Sequence, residues 1–220
     1  MSLQATARLK RDDRRAAILE IARAAFLLDG YAATSMSQIA AKVGGSKATL
    51  YNYFPSKKDL FVAMADEEAT QTLKPLFDLS EMRGDIRTIL ERFIQRFLVL
   101  LLSDDLIAFY RMIVAESARF PEIGWTANEF GLKRGLESIA GYFAEAMERG
   151  ELRQTNVLAA AEQFLDLCAG HLHRKRLWCV VGDISQEDIE AQARRVVATF
   201  LAAYGNDELS RAARASIEMI

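Results

Sequence analysis

Proline, cysteine and histidine are scarce in this chain. It has three prolines, twelve glycines, two cysteines and two histidines in 220 residues. So few breakers, beside abundant Ala, Leu, Glu and Arg, favour helices over strands. Sustained period-two alternation with hairpin signals is missing as well, so an all-α fold is expected. Cys168 and Cys179 make no disulfide framework. Both histidines, His171 and His173, fall inside one predicted helix, so acid–base catalysis would have to rest on scattered carboxylates. The chain has no G-x-S-x-G elbow, P-loop, G-x-G-x-x-G or H-E-x-x-H motif, and neither an enzyme nor a cofactor is expected.

Long apolar runs are also absent. FLVLLL, Phe97–Leu102, is as long as any, far below the roughly 20 residues of a spanning helix. The polar N-terminus MSLQATARLKRDDRR has no apolar stretch of the secretory kind. A cytoplasmic protein without a membrane partner is expected. Cys168, His171, His173 and Cys179 invite a metal reading, but Cys179 lies about 16 Å along a helix axis from Cys168. Four tetrahedral ligands cannot gather from that spacing, and no metal site is expected.

What the chain does have is a lopsided charge. The formal net charge is −2, yet residues 1–60 hold ten Lys/Arg (Arg8, Lys10, Arg11, Arg14, Arg15, Arg23, Lys42, Lys47, Lys57, Lys58) against five acids. A basic first block on an acidic remainder points to a polyanion partner for that block alone. Residues 1–13 read as a basic N-terminal arm.

Helical periodicity dominates the rest. Ile18, Ile21, Ala22, Ala25 and Phe26 form one apolar face, and Gly30 suits the position just after a helix. Ser35 and Gln38 make a capping box for a short helix that turns Ile39, Ala40 and Val43 inward. Gly44-Gly45 ends it, Ser46 caps the next helix, and Pro55 ends that one. Ser56 then starts a fourth helix, expected from about Lys57 to about Leu73 as the lever between effector pocket and reader. Longer helices follow: one with Ile86 to Leu101 as a stripe, one with Leu106, Phe109, Tyr110, Ile113 and Val114, one around residues 132–149, one from Val157 to about Val180, and one capped by Ser185 and ending near Gly205.

Two short helices joined by a glycine turn, behind a longer one, are a helix-turn-helix layout. Its second short helix carries SKATLYNYF, Ser46–Phe54. Leu50 and Phe54 share a face and can pack on Ile39 and Val43. Lys47, Thr49 and Asn52 are then placed to read bases, with Tyr51, Tyr53 and Lys57 suited to phosphate oxygens. Thr34 and Ser35, at the entry to the pair, and Ser46 and Ala48 complete the expected DNA-facing set.

The passage ILEIARAAFLLDGYAATSMSQIAAKVGGSKATLYNYFPSKKDLFVAM resembles the DNA-binding region of the tetracycline-repressor (TetR) family. The matching elements are AxxxFxxxGYxxTS, IAxxxG and SKxTLYxYFxSKxxL. The resemblance implies that Lys47, Ala48, Thr49, Tyr51 and Tyr53 touch DNA and that Lys57 clamps a phosphate. Two positions depart from the pattern. Gly45 stands where the family usually has a small apolar residue, and Ser37 stands where some members carry a basic side chain.

For the remainder the resemblance implies a helical effector-binding and dimerisation domain over residues 61–220, after a reader in residues 1–60. The expected effector wall is Phe97, Phe109, Tyr110, Met112, Trp125, Phe130 and Phe164, facing a hydrophobic small molecule. The expected homodimer seam is Leu158, Leu165, Leu172, Val196, Val197, Phe200 and Leu201. The implied function is a repressor released from a near-palindromic operator by its effector. The alternatives are a helical ligand-binding protein without DNA binding and an all-α enzyme.

Overall fold

The computed structural model describes residues 3–79 and 84–217, with the backbone alone for residues 3–10. Its elements are α1 (Leu3–Asp29), α2 (Met36–Val43), α3 (Lys47–Tyr53), α4 (Lys57–Glu68), α5 (Lys74–Phe77), α6 (Ile86–Leu101), α7 (Asp104–Glu116), α8 (Pro121–Ala127), α9 (Arg134–Glu148), α10 (Val157–Leu177), α11 (Gln186–Tyr204) and α12 (Asp207–Ile217). Among the described residues there is no strand, and one isolated bridge pairs Leu152 with Gly205. No described helix is long and apolar enough to cross a membrane.

The chain divides into two compact units. The first comprises Met1–Gln71 and Ala108–Gly131, the second Thr72–Ile107 and Leu132–Ile220. The boundary expected at residue 60 therefore falls later, because α4 packs on α1 and α8 and stays with the first unit. In that unit the expected face of α1 holds: Ile18, Ala22 and Phe26 are buried with Ile39, Leu50, Phe54, Leu60 and Phe61. Each fully buried Leu, Ile or Phe contributes about 1.5–3 kcal/mol of transfer free energy. That burial holds helices as short as α2 and α3, which would not form alone in water.

Three expectations about helices need correction. The backbone of residues 3–13 is not an arm but the start of α1, a stretch without Gly or Pro and rich in helix formers. The side chains of Arg8 and Lys10 lie outside the described residues. The fourth helix is not α-helical throughout its expected span: α4 stops at Glu68, Ala69–Leu73 is π-helical, and α5 follows with Pro75 in its first turn. Pro75 has no N–H for the carbonyl four residues earlier, which accounts for the irregular turn before it. Val114 is solvent-facing at 76% exposure, while Ile107 and Met112 supply the buried positions of α7.

The second unit is built on stacked aromatics. Phe143 and Phe164 lie 4.8 Å and 5.0 Å from Phe200, and Phe93 lies 5.9 Å from Phe164. This cluster ties α6, α9, α10 and α11 together. α10 is broken at Gly170, whose φ of 47° and ψ of −153° are reached without strain by glycine alone. The segment after Gly205 forms α12, capped by Asn206 and packed on α11 with Ala213 buried.

Candidate nucleic-acid interface

The reader is assembled by caps. Ser35 Oγ accepts from the Gln38 backbone N–H at 3.2 Å, and Gln38 Oε1 accepts from the Ser35 N–H at 2.7 Å. This reciprocal pair is the expected capping box. At its other end α2 closes on Gly44 in the left-handed conformation. Ser46 Oγ accepts from the Thr49 N–H at 3.0 Å and starts α3. Ser56 does the same for α4 through Asp59.

α3 divides its residues between two environments. Leu50 and Phe54 are 2% and 4% exposed and pin the helix to the core. Lys47, Ala48, Tyr51 and Asn52 are exposed, and Thr49 is half-buried with its hydroxyl 2.8 Å from that of Ser46. Lys47 Nζ sits 5.9 Å from the Tyr51 ring centroid, so a cation and a phenol share one patch. Tyr53 is half-buried beside Phe54. Of the expected DNA-facing set, Lys47, Ala48, Thr49, Tyr51, Asn52 and Tyr53 share α3.

Two expected members play a different part. Thr34 is buried at 1% exposure, and its hydroxyl donates to the Gly30 carbonyl at 2.7 Å, with the Ala25 carbonyl at 3.2 Å. It closes the end of α1 and cannot present its side chain to DNA. Lys57 Nζ donates to the carbonyls of Tyr31 at 2.7 Å and Thr34 at 3.0 Å, with Ala32 at 3.5 Å. These carbonyl acceptors all lie in the turn between α1 and α2, where the resemblance implied a phosphate clamp. Burial pushes this ammonium below the ordinary lysine range, against the pull of Glu116 and Glu122. Glu116 also accepts from the Ala32 N–H at 3.0 Å.

Reading charge and periodicity separately missed the arginines of α1. Arg11, Arg14 and Arg15 continue the face of Ile18 and Ala22 backwards at helical spacing. Arg11 Cζ lies 6.0 Å from the Tyr53 ring centroid and Arg15 Cζ 5.7 Å from that of Phe54. Extending the apolar stripe upstream would have found them.

The residues of the expected effector wall are divided between the two units. Phe109, Tyr110, Met112, Trp125 and Phe130 belong to the first unit, Phe97 and Phe164 to the second. Phe164 and Met112 are core residues, 0% and 6% exposed, while Trp125 is 69% exposed. Within the second unit a groove of about 440 Å³ is lined by Pro75, Leu76, Val99 and Leu100 with Gln95, Arg96 and Gln186, none of them an expected residue. The expected seam is corrected too. Val196, Val197, Phe200 and Leu201 face inward on α11 and are buried within their own chain, as is Leu172, leaving no surface for a partner. Leu158 is half exposed and Leu165 half-buried on α10.

Comparison with known proteins agrees with this architecture. Residues 18–64 match the model of bacterial regulatory proteins of the tetR family, and residues 88–206 match that of the AefR-like transcriptional repressor C-terminal domain. A TetR-family regulator from Mesorhizobium loti is 29% identical over 88% of this chain and 98% of its own, with a TM-score of 0.79. The flavonoid-responsive regulator FrrA is 31% identical over 89% of this chain and 99% of its own, with a TM-score of 0.76. The transcriptional activator FasR of Mycolicibacterium smegmatis is 34% identical over 90 residues, 39% of this chain and 41% of that activator's length. With its helix-turn-helix reader and a second domain matched across more than half its length, the chain belongs to the TetR family of transcriptional regulators.

Proposed function

We propose that the protein is a homodimeric repressor that binds a near-palindromic DNA operator through α3 and leaves it when an apolar small molecule occupies the helical second unit. The observation that carries the reading is the division of α3. Leu50 and Phe54 are buried, while Lys47, Ala48, Tyr51 and Asn52 stand exposed in one seven-residue helix. A helix anchored from behind and polar in front suits major-groove insertion, with its N-terminal residues at base edges.

Lys47 and Asn52 reach base acceptors, Thr49 offers a hydroxyl and a methyl, and Tyr51 and Tyr53 hold phosphate oxygens. A two-fold dimer presents one such helix to each half-site. Leu158 and Leu165, seven residues apart on one face of α10, are the seam positions left facing outward. The flavonoid response of the similar regulator FrrA supports an apolar effector. The description of the matched C-terminal domain as a repressor's supports repression. An effector acts only if it favours one of two states of the reader by differential affinity.

The test is selection of bound fragments from random DNA by the full chain, followed by titration of the winning sequence. The expected result is an inverted repeat, bound by a dimer and released by a flavonoid or another planar apolar compound, with a reporter gene derepressed on its addition. Failure to enrich any sequence, or a monomer at micromolar concentration with Leu158 and Leu165 intact, would overturn the reading.

A further inference from the structure

The three arginines on the α1 face are not equivalent. Arg15 donates to Glu67 Oε2 at 3.2 Å, so its charge has a carboxylate partner inside the domain. Arg11 and Arg14 have no such ion pair among the described residues. Arg11 is exposed beside Tyr53, at the C-terminal end of α3. Arg14 reaches the turn at the other end: its terminal nitrogen lies 2.9 Å from where a Cβ on residue 45 would stand.

Gly45 is the independent sign. The glycines with positive φ are Gly30, Gly44, Gly84, Gly150 and Gly170, so the backbone at residue 45 does not demand glycine. Open space does not explain it either, because the Arg14 guanidinium occupies the volume that a side chain would take. Residue 45 lacks a side chain where an arginine crosses the turn into the reading helix.

We propose that Arg11 and Arg14 are phosphate-positioning residues supplied by α1, one at each end of α3, and that Gly45 gives Arg14 its path across the turn. The inference rests on the reading of α3 as the groove-entering helix. A helix seated in the major groove has a phosphate strand on either side, and a guanidinium can hold a phosphate through two parallel hydrogen bonds. These contacts carry no sequence information. They fix the register in which Lys47, Thr49 and Asn52 read bases.

The experiment is operator binding by the full-length protein between about 50 and 200 mM salt, where each phosphate neutralised adds about 0.9 to the log–log slope. With two half-sites, Arg14→Ala flattens the slope by about 1.8 and leaves the preferred sequence unchanged. Arg14→Lys keeps the slope. Gly45→Ala displaces the flexible guanidinium, so it weakens binding in the parent but has no further effect beside Arg14→Ala. Arg15→Ala lowers thermal stability without altering the slope. A parental slope in Arg14→Ala, or losses from Gly45→Ala and Arg14→Ala that simply add, overturns the inference while leaving the groove-entry reading intact. Parent protein that binds no DNA overturns that reading and the inference with it.

Discussion

Lys57 and Tyr31 are joined twice: the ammonium donates to the tyrosine carbonyl at 2.7 Å and lies 4.3 Å from the centroid of its ring. With the Thr34 carbonyl as a further acceptor, this lysine ties the start of α4 to the turn between α1 and α2. Removing it leaves partly buried carbonyls without their cationic donor, a loss of about 1–3 kcal/mol for hydrogen bonds to a charged group. Lys57→Ala should lower the unfolding free energy by that amount in urea titration and weaken operator binding, with the salt slope unchanged. A flattened slope with parental stability would return Lys57 to the role of phosphate clamp.

Thr34 makes the companion case. Its hydroxyl bonds the Gly30 carbonyl at 2.7 Å from a buried position. Thr34→Val keeps the shape and removes the donor, so about 1–2 kcal/mol of stability should be lost. The sequence selected from random DNA should stay the same. A changed operator preference in a stable Thr34→Val protein would place this side chain at the DNA instead.

How far the residues foretold the structure depends on which force decides each position. Caps and apolar periodicity are local, so Ser35, Gln38, Ser46, Leu50 and Phe54 were readable from spacing alone. The fate of Lys57 was not, because its acceptors lie 23 and 26 residues earlier in the chain. The seam failed for a related reason. An apolar residue on α11 reads the same whether a partner helix or its own chain covers it, and α6, α10 and α12 all pack on that helix. The break at Gly170 was likewise silent, since a lone glycine within a helical pattern usually stays helical.

Tyr31 carries a pH prediction. Burial and the nearby Glu122 carboxylate, which accepts from the phenol, raise its pKa to about 12 from the ordinary 10.0. The neutral phenol therefore persists in the fold while the unfolded chain ionises. Its contribution to stability is complete below about pH 10 and is lost as pH rises toward 12. Tyr31→Phe cannot ionise, so the alkaline decline in unfolding free energy should be shallower than in the parent over that interval. Urea titrations at stepped pH, read by circular dichroism, give both curves. Parallel curves would show that the phenol of Tyr31 does not govern the alkaline loss.

Gly135 offers the sharpest packing test in the second unit. It opens the first turn of α9 directly over Phe77, and a Cβ built there would stand 2.7 Å from Cζ of that ring. The ring cannot swing aside freely, because Phe93 and Phe97 hold it with centroids at 5.5 Å and 5.8 Å. Alanine would normally favour a helix over glycine by about 1 kcal/mol. Here the added methyl group overpacks a filled site, which costs about 1–3 kcal/mol. Gly135→Ala should therefore be neutral to destabilising by up to about 2 kcal/mol, the balance of those two terms. Gly131→Ala, with nothing within 4 Å of its Cβ, should be neutral or stabilising. Equal gains from both substitutions would show that Phe77 yields and that this aromatic contact does not constrain α9.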